Sequence, residues 1–321
     1  MPVTSSPLVL EQFAEGINRN LDGIDRYLFE NSQPEYPVIS AETPYKHWVQ
    51  EFQMIQGLSR PQVNRDLEPP PQVSPVKGPP TVIRQTSYRS QLIIEETAIR
   101  VSDHTSIYDN VEDLITSIKT LKDVSGVNFF NNGFTNGLAT NITEVDGTAR
   151  APFSTGHVYE SGGPTWSNYV NVAVPPSVDI VYQVIFQYLK RLQDFNGNFI
   201  NWDMNFVIVT PTANPAYGVA AEEIIRSDSR PDTANRATNI LKGINLSHVP
   251  LNQLTSTTKW FIIVSVNNRA YPLRLIQAID REITPLEKNL SGNPHAMSMT
   301  SRTQFAFGWR HSYRGIVAIG T

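Results

Sequence analysis

Apolar positions along the chain fall into two rhythms. Over residues 9–30, Leu10, Phe13, Ile17, Leu21, Ile24 and Leu28 recur at three- and four-residue steps, which predicts an amphipathic helix. From Ser106 the rhythm returns more strongly: Ile107, Val111, Leu114, Ile115, Ile118 and Leu121 stand at offsets of 0, 4, 7, 8, 11 and 14. Ser106, with Asp109 three residues on, is a fair helix start. Continuation through Val127 to Phe130 gives about 25 residues and about 40 Å. Such a helix exceeds the usual length in a compact domain and reads as a structural spine. Residues 177–194 predict a further helix through Val181, Val184, Ile185, Tyr188, Leu189 and Leu192, and residues 214–226 a short one. The second rhythm is that of strands. QLIIEETAIRV at 91–101, MNFVIV at 204–209, WFIIVSV at 260–266, and the alternating stretches at 303–309 and 313–319 read as strands. Helices and strands in this order, without regular strand–helix–strand repetition, favour an α+β fold.

Two segments follow neither rhythm. Between Pro61 and Pro80 there are seven prolines in twenty residues, including Pro69-Pro70-Pro71. That stretch forms neither a helix nor a central strand; as polyproline II it reaches roughly 60 Å at about 3.1 Å per residue. Apolar and aromatic residues flank it on both sides: Trp48, Phe52, Met54 and Ile55, then Val82, Ile83 and Tyr88. The second is a glycine- and asparagine-rich run from Asn131 to Asn168, too long for an ordinary turn and suited to a contact-making loop or short hairpins.

Composition sharpens this picture. Of the 321 residues 17% are charged, with a net charge of -4, against about 25% charged in typical domains. Aliphatic and aromatic content is ordinary, so neutral polar residues fill the gap. Interfaces are depleted in Lys, Glu and Asp, so the low charge fits a surface buried in partners, and fits a polar monomer as readily. The charges are unevenly placed. Residues 1–50 hold seven acids against Arg19, Arg26 and Lys46, whereas no acid follows Glu287 and Lys288, Arg302, Arg310 and Arg314 are basic. We expect the two ends to meet across a subunit contact. A complete lack of cysteine excludes disulfides, thiolate metal sites and cysteine nucleophiles. A pI near 5.9 argues against a dedicated nucleic-acid binder. No run of about 18 apolar residues is present to span a membrane. The opening MPVTSSPLVLEQFAEG lacks the basic and apolar regions of a secretory signal.

Candidate chemistry is sparse. There is no G-x-S-x-G elbow, phosphate loop, H-E-x-x-H or G-x-G-x-x-G after a strand. The six histidines (His47, His104, His157, His248, His295, His311) show no metal spacing. His104 beside Asp103 reads as a solvated or capping residue just before a helix, and His157 as a hydrogen-bonded loop histidine. Glu95 and Glu96 are neighbours in a predicted strand and point to opposite faces. Glu222 and Glu223 read as the solvated face of a short helix. No catalytic, cofactor-binding or metal-ligating residue is assigned, and no cofactor is expected.

The order of features resembles the major capsid proteins of tailed bacteriophages, whose fold is shared with encapsulin shell proteins. The likeness starts at Ile94-Glu95-Glu96 and the spine helix ending in Val127-Asn128-Phe129-Phe130-Asn131-Asn132-Gly133-Phe134. It continues in a loop with Asp146-Gly147, Phe153-Ser154-Thr155-Gly156-His157, Gly162-Gly163 and Ser167-Asn168. The strand at 205–209 ending at Pro211, the helix at 214–226, Asn239 to Gly243 and Lys259-Trp260-Phe261-Ile262 follow in matching order. Phe305-Ala306-Phe307-Gly308-Trp309-Arg310 and Tyr313-Arg314-Gly315 close it. The likeness covers residues 90–321; residues 1–90 fit by role alone. It implies an amino-terminal arm (1–48), an extended loop region (49–95), a peripheral domain with the spine helix (96–171), an axial domain (172–285) and carboxy-terminal strands returning to the peripheral domain (286–321). Arm and loop are expected to lie across neighbouring subunits, and residues from Gly133 to Gly163 near contacts between capsomers.

The resemblance implies a shell protein, not an enzyme: a homo-oligomer of pentamers and hexamers in an icosahedral virion capsid, assembled in the host bacterial cytoplasm, enclosing double-stranded DNA without sequence-specific binding. Portal and decoration proteins are possible partners. Many relatives begin with a long scaffolding region, for which this chain has no room, so a separate scaffold, or none, is expected. Some relatives crosslink a lysine to an asparagine; Lys77 is the only lysine in the extended-loop region, and no crosslink is expected. Two other readings stay open: an encapsulin-type cellular compartment, and a soluble α+β enzyme with an unrecognised site.

Overall fold

The spine forms as its spacing predicts. The computed structural model describes residues 7–31, 34–44, 47–52, 80–100, 104–136, 142–144, 146–158, 165–190, 205–231, 238–265, 273–288, 296–309 and 315–321. The spine helix runs His104–Asn131, 28 residues, or roughly 42 Å. His104 therefore opens this helix rather than preceding it. Most of the proline-rich stretch with Lys77 lies outside the described residues, as do Asp103, Gly162, Gly163, residues 191–194, Arg310, Tyr313 and Arg314.

One face of the spine serves two cores in turn. Its first half places Ile107, Val111, Leu114 and Ile115 in a cluster with Ala14, Ile17 and Leu21 of the amino-terminal helix Pro7–Asn31 and with Met297 and Met299. Its last turns carry Val127 and Phe130 into a second core with Phe153, Phe261, Leu273 and Trp309. The amino-terminal helix thus has a seat on its own chain. Asn18 fixes it there, accepting from the Leu286 N–H at 2.8 Å and donating to the Leu286 carbonyl at 3.2 Å.

The spine lies along a sheet built on the long strand Ala296–Trp309. On one side that strand pairs antiparallel with Thr86–Glu95, Ala296 opposite Glu95 and Phe305 opposite Thr86. On the other it pairs with Leu273–Ile283, Leu273 opposite Trp309, and with Glu287–Lys288. Ser40–Pro44 adds a parallel strand beyond Leu273–Ile283.

A second sheet runs in the order Leu246–Leu251, Asn205–Pro211, Trp260–Ser265, Ile316–Ile319 and Tyr169–Val170. Its three inner strands, Asn205–Pro211, Trp260–Ser265 and Ile316–Ile319, are buried on both faces, which is why they read as continuous apolar runs. Alternation sends Val207, Val209, Phe261, Ile263, Ile316 and Ala318 toward the core shared with the spine. Phe206, Ile208, Trp260, Ile262, Val264, Val317 and Ile319 face the other way, under the helices of residues 178–189 and Pro215–Arg226. The chain is therefore α+β, with the second sheet as the middle layer.

Several elements depart from the sequence reading. The strand expected at 91–101 is Thr86–Glu95, followed by a short helix Glu96–Arg100. Its ladder runs as far as Glu95, where the chain turns into that helix. Glu95 and Glu96 are consequently not neighbours in one strand. The helix expected at 177–194 is α-helical over Val178–Gln183 and then widens to a π-helical stretch, Val184–Leu189. The strand expected at 303–309 is the end of one of 14 residues. The hairpin Val49–Phe52 with Thr81–Arg84, and the strands Leu246–Leu251 and Leu273–Ile283, were not expected; all mix exposed or polar positions with apolar ones.

Candidate functional site

Three polar clusters stand out against these apolar cores. The first closes the loop after the spine. Gly133 brings the chain hard against Phe153, since a Cβ there would lie 2.5 Å from Phe153 Cε2 and 2.8 Å from the Phe129 carbonyl oxygen. The Phe153 N–H donates to the Gly133 carbonyl at 2.8 Å. Phe153 then stacks among Phe130, Phe134, Phe261 and Trp309. Beyond it His157 is 0% exposed. Its Nδ1 lies 2.5 Å from Glu144 Oε1, and its Nε2 lies 3.1 Å from both the Pro152 carbonyl and Asn168 Oδ1. Glu144 also accepts from Arg150 Nη1 at 2.5 Å and from the Val158 N–H at 3.1 Å. Arg150 in turn holds Asp146 at 2.7 Å, and its hydrogen bond keeps that carboxyl below the usual carboxylate range. This network ties three loop segments into one body. His157 is the hydrogen-bonded loop histidine that the sequence suggested.

The second cluster sits on the spine itself. Lys122 is 2% exposed, donates to Gln277 Oε1 at 2.8 Å and pairs with Asp280. Next to it Asp123 accepts the N–H groups of Glu35 and Tyr36 at 2.8 and 3.0 Å. Burial pushes the Asp123 carboxyl up from its ordinary value, and burial with the nearby acids pushes the Tyr36 hydroxyl to about 12. These adjacent charges pin the strand Leu273–Ile283 and the turn before Ser40 to the spine. No periodic signal marks them, because both are charges set into a buried stretch.

The third cluster has the geometry of nucleophilic catalysis. Thr210 Oγ1 lies 2.8 Å from His248 Nε2, and His248 Nδ1 lies 2.9 Å from Glu222 Oε1. The fitting neutral tautomer donates from Nδ1 to Glu222 and accepts the Thr210 hydroxyl proton at Nε2. That His248 hydrogen bond is the main reason the Glu222 carboxyl falls below its ordinary value. Glu222 is therefore not simply part of a solvated helix face, which corrects the sequence reading; Glu223 beside it is exposed. The row matches a nucleophile–base–orienter arrangement in distance. However, Thr210 is 0% exposed, at the floor of a cavity of about 690 Å³. With its hydroxyl closed off, the row acts as a latch between the helix Pro215–Arg226 and the strand Leu246–Leu251. Nothing in sequence spacing joins residues 26 and 38 positions apart.

Among the described residues no group of three or more His, Cys, Asp or Glu is placed to hold a metal ion, and no described helix is long and apolar enough to cross a membrane. No family profile and no curated protein matches the sequence. Solved structures do. The mature capsid of bacteriophage PhiM1 aligns over 90% of this chain and 87% of its own, at 10% identity and TM-score 0.57. The capsid of a native GTA particle aligns over 88% of each chain at 7% identity and TM-score 0.53. Mycobacterium phage Patience aligns over 97% of this chain and 88% of its own, at 12% identity and TM-score 0.53. The long spine beside a mainly antiparallel sheet, with a second sheet buried between helices and spine, is thus the tailed-phage major capsid fold.

Proposed function

We propose that this chain is a major capsid protein whose copies assemble into pentamers and hexamers of an icosahedral shell enclosing double-stranded DNA. The observation that carries this reading is the fold, matched to the PhiM1 mature capsid over 90% of the chain. Two features support it. Charged residues make up only 17% of the chain, as suits a surface largely covered by neighbours. The hairpin that roots the extended loop also leaves Trp48, Val49 and Val82 exposed, which suits contact with an adjacent subunit.

In this reading residues 1–48 form the arm, 49–95 the extended loop region, 96–171 the peripheral domain, 172–285 the axial domain and 286–321 the closing strands. The extended loop crosses to a neighbour, and the acidic arm meets the basic carboxy-terminal segment of another copy. The segment from Gly133 to Gly163, stiffened by the Glu144–His157 network, lies near contacts between capsomers. Assembly takes place in the host bacterial cytoplasm, with a separate scaffold or none, with portal and decoration proteins as further partners, and without a crosslink through Lys77. The DNA is enclosed without sequence-specific contacts, as the modest net charge allows.

Negative-stain microscopy of the purified protein, and nuclease-resistant DNA in particles from an infected host, test this together. Closed shells filled with DNA support it. Shells holding a protein cargo and no DNA identify a cellular compartment instead. A small soluble species that never assembles, at any salt or protein concentration, ends the shell reading.

A further inference from the structure

The cavity above the Thr210–His248–Glu222 latch lies beside the helix Pro215–Arg226 and the edge strand Leu246–Leu251, and measures about 690 Å³. That is within the range of sites for small organic ligands. We propose that it binds an aliphatic amine as its alkylammonium ion. The assignment follows from which groups facing the cavity are already satisfied.

The walls are apolar and offer few donors. Pro211, Pro215, Val219 and Pro250 line them, and a proline has no backbone N–H to give. Gly218 keeps the space over the latch open; a Cβ there would come within 3.6 Å of His248 Cε1. The polar floor is saturated. Both His248 nitrogens are engaged, one by Thr210 and one by Glu222. The second Glu222 oxygen takes Arg226 Nε at 2.8 Å, and the Arg226 side chain is otherwise 80% exposed to water. Glu223 also lines the cavity, and among the described residues its carboxylate has no hydrogen-bond or ionic partner. Two carboxylates and one guanidinium leave the lining with one net negative charge while His248 is neutral. A ligand that fits must therefore bring an apolar body for the proline and valine walls and a cationic donor head for Glu223. A straight-chain amine of about six to eight carbons has both, and a carboxylate-headed chain of equal length meets repulsion.

The test titrates hexylammonium, hexanol and hexanoate into the purified full-length chain, read by ligand-observed NMR and calorimetry. Hexylammonium is expected to bind more tightly than hexanol, and hexanoate not to compete. Glu223→Gln is expected to weaken hexylammonium about threefold, the scale of a partly exposed ion pair, while leaving hexanol unchanged. Val219→Trp, at a site 57% exposed and so tolerant of bulk, is expected to block all binding without lowering the Tm. Equal affinity for hexanol and hexylammonium, full binding by Glu223→Gln, or full binding by Val219→Trp would each overturn the proposal. None of these outcomes bears on whether the chain forms shells.

Discussion

His157 Nδ1 and Glu144 Oε1 lie 2.5 Å apart across 13 residues of sequence, joining two short antiparallel strand pairs, Ile142–Thr143 with Ala149–Arg150 and His157–Val158 with Thr165–Trp166. Glu144 accepts from the His157 ring, from Arg150 and from the Val158 N–H. Replacing it by alanine removes the acceptor of the His157 ring and of the Val158 N–H, and leaves Arg150 with Asp146 alone. Breaking a buried pair by removing one partner costs about 3–5 kcal/mol. Glu144→Ala is therefore expected to lose stability on that scale in urea denaturation, and Glu144→Gln, which keeps an acceptor, to lose about half as much. Equal loss by the two variants would show that the acceptor is not what matters.

The acid limb of stability carries a second expectation. Arg150 holds Asp146, and His248 holds Glu222, below the ordinary carboxylate range. A folded value below the unfolded one means stability that is complete above the unfolded carboxylate pKa of about 4 and lost as pH falls through the folded value. Buried Asp123 works in the opposite sense: its raised carboxyl is more easily accommodated as pH falls through its folded value. Arg150→Gln removes the cause of the Asp146 shift. The variant is expected to be about 1–2 kcal/mol less stable at pH 7 and to lose less than the parent between pH 5 and pH 3. Denaturant titrations at pH 7, 5, 4 and 3 check this; parallel curves for the two proteins would remove Arg150 from the acid response.

The spine offers a third. Val111 and Ile115 are both 0% exposed, packed against the amino-terminal helix and the methionines of the long strand. A carboxylate there has no partner, so Val111→Asp or Ile115→Asp is expected to cost more than about 4 kcal/mol and to leave the protein insoluble. A soluble Val111→Asp protein with native circular dichroism would undo the spine's assigned role.

These residues also show what the sequence could and could not reveal. The spine was legible because one apolar face persists through seven turns, whichever core it meets. The inner strands of the second sheet were legible because both their faces are buried, so Phe206 to Val209 and Phe261 to Val264 stay apolar without a break. Leu273–Ile283 escaped notice because its burial fades along its length and it carries Arg274, Asp280 and Arg281. The hairpin strands are four residues each and half exposed. The polar clusters were invisible for another reason: Glu144 with His157, Lys122 with Asp280, and Thr210 with His248 and Glu222 meet only through tertiary folding. The family likeness was readable because it rests on the order of the acidic strand end, the spine helix, the loop after it and the strand and tail motifs that follow, which an α+β assignment alone does not require.

Gly308 supplies the last prediction. It lies in the long strand opposite Arg274, and a Cβ built on it would sit 2.5 Å from Ile83 Cγ1 and 3.1 Å from Ile83 Cγ2. Ile83 is the buried residue of the hairpin strand Thr81–Arg84, so this glycine is what lets the hairpin lie down on the sheet. Alanine at 308 must push Ile83 away, and overpacking of this kind costs about 1–3 kcal/mol. The strain falls on the hairpin, because the long strand is held on both sides by its own ladders. Gly308→Ala is therefore expected to keep a folded core, seen as native near-ultraviolet circular dichroism, while exposing the hairpin segment to limited proteolysis. If the extended loop makes the contacts proposed for it, the same variant will assemble poorly in negative stain although its subunits remain folded. Normal shells from a variant whose hairpin is cleaved would separate the loop from assembly and move the subunit contacts elsewhere on the chain.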